Sequence, residues 1–201
     1  MGNDRSTPTA VMIVDDHPAV REGLRSMLDT EQGLEPVAVA SCAREALAAA
    51  ERLRPAVAVV DYHLPDEDGL ALCLRLKAGP APPAVLVYSA FADDTLALLA
   101  IIAGADGLVS KAADPDDVTA AVSLVARHEQ LHLAVSQQVM EATSSRLDPE
   151  DLPILGMLVH RTPPDEIAET LNMSEEWLTA RRWAMLECLR GGPSRRSRPG
   201  S

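Results

Sequence analysis

Residues 11–16 read Val-Met-Ile-Val-Asp-Asp, and residues 57–61 read Val-Ala-Val-Val-Asp. Each is a four-residue apolar run that ends on carboxylates. Apolar residues facing both sides of the pleat suit strands buried on two faces. Three comparable runs lie at 36–40, 85–88 and 107–109, each short, mostly β-branched or small, and closed by a polar or turn-forming residue. Between them, Ala- and Leu-rich segments at 19–28, 43–53, 70–77, 95–103 and 115–126 carry apolar residues at helical spacing. Strands that alternate with helices of this length are parallel and joined by right-handed crossovers. The expected fold class is α/β, a doubly wound five-stranded parallel sheet covered by helices on both faces.

The length of 201 residues suits two small domains better than one. With 47% hydrophobic and 24% charged residues the chain is not a disordered one. No apolar run approaches the roughly 20 residues of a membrane helix, so no membrane partner is expected. The opening Met-Gly-Asn-Asp-Arg-Ser has no apolar core of an export signal, and a cytoplasmic location is expected. Cys42, Cys73 and Cys188 are odd in number and far apart, which argues against a disulfide framework or a cysteine zinc site. The net charge of −12 disfavours a general nucleic-acid coat. Only Lys77 and Lys111 are lysines, so the position of each carries weight.

After residue 128 the alternation stops. Residues 129–146 read as a linker, and 147–190 as three helical segments with no strand signal. Asp148-Pro149, Thr162-Pro163 and Ser174 are the expected helix starts, each with a capping side chain. Apolar stripes Ile154/Leu155/Leu158, Ile167/Ala168/Leu171 and Leu178/Met185/Leu189 close a small trihelical core. Pro153 falls inside the first of these helices. Residues 191–201, of Gly, Pro, Ser and Arg, form a flexible basic tail. The expected boundaries are 10–128 for the α/β domain, 129–146, 147–190 and 191–201.

In an open parallel sheet, functional groups gather at the carboxyl ends of the strands. Those ends carry Asp15 and Asp16, then Asp61, Ser89 and Lys111. Taken singly, an aspartate there is a turn or cap residue and a lysine a solvated group. All five together describe a phosphoryl-accepting pocket. Clustered carboxylates repel unless a hard cation joins them, and this donor set suits Mg²⁺. A carboxylate beside that cation can attack phosphorus while lysine and serine meet the phosphoryl oxygens.

These residues stand in strings that resemble the receiver domain of two-component response regulators: Val-Asp-Asp-His-Pro (14–18), Asp-Tyr-His-Leu-Pro-Asp-Glu-Asp-Gly (61–69), Tyr-Ser-Ala-Phe (88–91) and Gly-Ala-Asp-Gly-Leu-Val-Ser-Lys (104–111). The resemblance implies a flavodoxin-like receiver in which Asp61 is phosphorylated by a partner histidine kinase. Asp15, Asp16, Asp61 and the backbone carbonyl of His63 would hold Mg²⁺. Pro65 and Gly69 would shape the turn after the acceptor, and Ser89 and Lys111 would sense the phosphoryl group. The family's usual aromatic switch is replaced by Leu108. An activity beyond phosphoryl acceptance is not expected, so the chain does not read as an ordinary enzyme.

Residues 147–189 resemble the small all-α helix-turn-helix output domain of the NarL/FixJ (LuxR-type) regulators. That likeness implies a transcription regulator that dimerises on phosphorylation and reads promoter DNA through Thr179, Ala180, Arg181, Arg182 and Trp183. Residues 146–190 hold five arginines against nine acids, a poor start for phosphate neutralisation. The alternative is a protein-binding output module, with Trp177 and Trp183 marking the contact. His128-Glu129-Gln130-Leu131-His132 matches H-E-x-x-H literally, but no third ligand follows, and a polar junction is the simpler reading.

Overall fold

The computed structural model describes residues 7–129, 131 and 133–191. The chain divides by contacts into two compact units, Met1–Ala92 with Ala105–His132, and Asp93–Gly104 with Leu133–Ser201.

The first unit holds five parallel strands, β1 (Thr9–Val14), β2 (Leu34–Ala40), β3 (Val57–Asp61), β4 (Ala84–Ser89) and β5 (Gly107–Ser110), in the order β2-β1-β3-β4-β5. Between the strands run α1 (Pro18–Asp29), α2 (Ala43–Leu53) and α3 (Gly69–Lys77), and α5 (Pro115–Ala126) follows β5. Val11, Ile13, Val57, Val59 and Leu86 of the sheet pack with Leu24 and Leu28 of α1 and with Val118, Val122 and Val125 of α5. The expected strands and helices are present, most of them a residue or two longer at their ends.

All strands run the same way, but the order in which they are added reverses between β1 and β3, and in sheets of this kind functional groups gather at the carboxyl ends beside that switch point. Register places the ends level: Val14 stands beside Val60, Asp61 beside Tyr88, and Ser89 beside Ser110. The acids that follow β1 and end β3 are therefore neighbours.

The second unit contains α4 (Asp94–Ala103), α6 (Gln137–Ser144), α7 (Leu152–Val159), α8 (Pro164–Thr170) and α9 (Glu175–Leu189). The sequence places α4 within 10–128; by contacts it groups with the C-terminal helices, and it packs on α6, α7 and α9. Helix α6 lies where a linker was expected. Ile154, Leu155, Leu158, Ile167, Ala168, Leu178 and Met185 are buried as the stripes predict, and Leu186 takes the place expected of Leu189. Pro153 does not interrupt α7: a 3-10 turn at Pro149–Asp151 precedes the helix, and Pro153 occupies its first turn, where a missing N–H costs nothing. Of the expected caps, Ser174 accepts from Trp177 N at 3.2 Å, whereas Asp148 makes no capping bond and α8 starts behind Pro163.

Candidate functional site

Asp15 and Asp61 are 0% and 4% exposed, and Ser89 is 0% exposed, an unusual set of groups to bury at a sheet edge. Burial is tolerated because each is bonded. Lys111 Nζ lies 2.6 Å from Asp15 Oδ2 and 2.8 Å from Asp61 Oδ2, so one ammonium bridges the two carboxylates. The remaining oxygens accept from backbone: His17 N reaches Asp15 Oδ1 at 2.8 Å, and His63 N reaches Asp61 Oδ1 at 3.3 Å.

Electrostatics follow from this geometry. Burial pushes the Asp61 carboxyl above its ordinary value; the Lys111 hydrogen bond opposes that, and the nearby Asp15 charge adds to it. Burial acts against the charge of Lys111, but hydrogen bonds to Asp15 and Asp61 outweigh it and raise its pKa. The two directions agree once counted: one cation serves two anions, so the cation is secured and Asp61 is left under-compensated. An under-neutralised carboxylate is the group that a further cation would stabilise.

Carboxylate oxygens of Asp15, Asp16 and Asp61, with a ring nitrogen of His17, lie within 4.8 Å of one another. The three carboxylates are hard oxygen donors with one of them, Asp16, exposed to solvent, and this fits an ion that keeps part of its water, as Mg²⁺ does. The His17 imidazole rests against the Asp16 carboxylate.

Two loops fix the pocket. After β3, Gly69 N donates to Tyr62 O at 2.8 Å, and a Cβ on Gly69 would stand 2.1 Å from the Asp61 carbonyl oxygen, so the close approach admits only glycine. Asp68 caps α3 by accepting from Leu70 N and Ala71 N, and Asp66 accepts from Ala43 N and Arg44 N at the start of α2. After β4, Ser89 Oγ accepts from Phe91 N and donates to Phe91 O, both at 3.2 Å. Leu108 lies on β5 beside Val87 and is partly buried.

The structure therefore brings together Asp15, Asp16, Asp61 and Lys111, with Ser89 at the end of the adjoining strand. Sequence reasoning missed Arg21, whose guanidinium donates to Asp15 O at 2.7 Å and steadies the acidic loop from α1. Its position one turn into the helix after the acidic pair was the available signal.

The residues expected on DNA are placed differently from one another. Thr179 and Trp183 are partly buried and Ala180 is exposed. Arg181 Nε lies 2.6 Å from Asp151 Oδ1, and its guanidinium stands over the Trp177 ring at 5.2 Å. Arg182, 5% exposed, donates to Ile102 O at 2.7 Å. Both arginines of α9 are thus engaged within the second unit, while Glu175, Glu176, Trp177 and Glu187 are exposed. In the H-E-x-x-H stretch, α5 has already ended and His128 takes a φ of 59°, so the motif does not begin on a helix; Gln130 and His132 lie outside the described residues, as does the basic tail from 192 onward. Among the described residues no helix is long and apolar enough to cross a membrane.

The profile of the response regulator receiver domain matches residues 11–123. The nitrate/nitrite response regulator protein NarP of Escherichia coli is 33% identical over 182 residues, covering 85% of this chain and 84% of that protein. The DNA-binding transcriptional activator DevR/DosR of Mycobacterium tuberculosis is 30% identical over 176 residues, covering 83% of this chain and 81% of that one. Among solved structures, a LuxR-family two-component response regulator from Aurantimonas sp. SI85-9A1 is 29% identical with a TM-score of 0.61, covering 69% of this chain and 99% of that one. With a receiver match over more than half its length and relatives that cover 85% and 83% of it, this chain belongs to the response regulators of the NarL/FixJ type.

Proposed function

We propose that Asp61 accepts a phosphoryl group from the phosphohistidine of a partner kinase and that the chain regulates transcription through its C-terminal helices. An oxygen of Asp61 attacks phosphorus, the phosphorus–nitrogen bond breaks, and the imidazole leaves with a proton from solvent. Asp15, Asp16, Asp61 and the carbonyl of His63 would hold Mg²⁺, which supplies charge neutralisation at the phosphoryl oxygens. Lys111 offsets the developing charge from the other side, and Ser89 donates to a phosphoryl oxygen once it turns from Phe91. Ser89 and Leu108 carry the change outward. The observation that carries this reading is the single ammonium shared by two buried carboxylates at the sheet's switch point.

The test is labelling by a small phosphodonor in Mg²⁺, comparing wild type with Asp61→Asn. Incorporation lost in the variant supports the assignment, and incorporation unchanged by it refutes it.

For output, the short turn between α8 and α9 and the alignment with a DNA-binding activator support promoter recognition by a phosphorylated homodimer, with Thr179, Ala180, Arg181, Arg182 and Trp183 as the contact set. Arg181 and Arg182 must leave Asp151 and Ile102 to serve there. Their engagement is also what favours the second reading, an output helix that binds protein. A gel-shift series on promoter fragments with and without beryllofluoride separates them. A salt-steep, beryllofluoride-dependent shift supports DNA; its absence with dimeric, activated protein supports the protein contact. Both readings place the molecule beside a kinase in the cytoplasm.

A further inference from the structure

Lys111 has a third neighbour besides the two carboxylates: its Nζ stands 5.6 Å from the centre of the Tyr88 ring. Tyr88 lies on β4 between Asp61 of β3 and Val109 of β5 in register, and its side chain packs against the cluster that α1 and α5 bury on the sheet. The charges of Lys111, Asp15 and Asp61 all reach the phenol, whose pKa is raised chiefly by burial. The ring thus lies between the apolar cluster and the Lys111 ammonium, which stands over its face.

We propose that Tyr88 is a positioning residue for phosphoryl transfer, its ring holding the Lys111 ammonium over Asp15 and Asp61 by a cation–π contact. The two carboxylates hold the ammonium from one side only, and a phosphoryl group arriving at Asp61 would draw one of those bonds away. The ring's negative face restrains the ammonium from the other side, and an interaction of this kind gains strength where water is excluded. Tyr88 also joins the pocket to the α1/α5 cluster, so a Lys111 drawn toward a phosphoryl oxygen leaves the ring that packs there. The inference rests on the acceptor reading above for its role, though not for the contact itself.

The sequence provides a clean probe, because Lys77 and Lys111 are the only lysines. In full-length protein labelled with ¹³C at the lysine ε carbon, and without metal, the Lys111 ε-protons resonate upfield of those of Lys77 through the ring current of Tyr88. In Tyr88→Leu the Lys111 signal moves downfield while that of Lys77 stays; in Tyr88→Phe both stay. A Lys111 signal indifferent to Tyr88→Leu overturns the contact. Beryllofluoride titration in Mg²⁺ then tests the role: affinity falls about two- to tenfold in Tyr88→Leu and is restored in Tyr88→Phe. Equal affinity in all three proteins, or loss in Phe equal to that in Leu, overturns the positioning role while leaving Asp61 as acceptor. Wild-type protein that binds no beryllofluoride overturns both.

Discussion

Replacing Gly69 with alanine should damage phosphoryl acceptance more than it damages the fold. A Cβ at that position would sit 2.1 Å from the Asp61 carbonyl oxygen and 2.9 Å from its carbonyl carbon, against an ordinary contact beginning at 3.4 Å. One of the two backbones must retreat by more than an ångström, and both are anchored: β3 by its register with β4, and α3 by the Asp68 cap and six buried side chains. The retreat also strains the bond from Gly69 N to Tyr62 O, which shapes the turn after the acceptor. Overpacking of this kind costs about 1–3 kcal/mol of stability. A misplacement on the order of 1 Å at a reacting group costs about a hundredfold in rate. Acetyl-phosphate-driven incorporation, followed by intact mass, should therefore slow by about two orders of magnitude in Gly69→Ala, while urea unfolding shows a modest loss. Gly23, inside α1 with nothing within 4 Å, is the control: Gly23→Ala should keep the rate and gain about 0.5–1 kcal/mol. Incorporation at the wild-type rate in Gly69→Ala would refute the argument that the acceptor's backbone is fixed by that contact.

Asp61→Asn should stabilise the metal-free protein at neutral pH. Because burial raises the Asp61 carboxyl in the fold, folding takes up a proton, so its contribution is favourable below the unfolded value of about 4 and is lost as pH rises through the folded one. Thermal melts in chelator should show the variant's advantage shrinking as pH is lowered toward that value; an advantage independent of pH would contradict this. Saturating Mg²⁺ at about 100 times its dissociation constant should add about 2.7 kcal/mol to unfolding, and Asp16→Ala should abolish most of the gain. Arg182→Ala removes a buried donor 2.7 Å from Ile102 O and should cost about 1–3 kcal/mol in urea unfolding, a loss that a surface arginine would not produce.

What was legible in the sequence was what local pattern and topology decide together. Buried parallel strands advertise themselves as unbroken apolar runs, and the rule that function collects at their carboxyl ends sufficed to bring Lys111 to Asp15 across 96 positions. Helix α6 was hidden because Gln-Gln-Val-Met-Glu-Ala-Thr-Ser buries only Thr143, so no apolar stripe marks it. The fate of Arg181 and Arg182 was hidden for a different reason. On a helix wheel they are two adjacent cations, but their partners, Asp151 and Ile102, lie 30 and 80 positions away and no periodicity announces them. Grouping α4 with the C-terminal helices had no local signal either, since a helix apolar on every side reads the same whatever covers it.

The Ser89 hydroxyl holds its own loop in the resting molecule, accepting from Phe91 N and donating to Phe91 O. On the acceptor reading proposed above, turning it toward a phosphoryl oxygen would be a swap of partners, a bond to a neutral carbonyl given up for one to an anion. Such a swap would release the loop carrying the exposed Phe91 ring from its bond to the hydroxyl. On loss of the anion the Phe91 carbonyl would be the acceptor left within reach, and the exchange would run backward unaided.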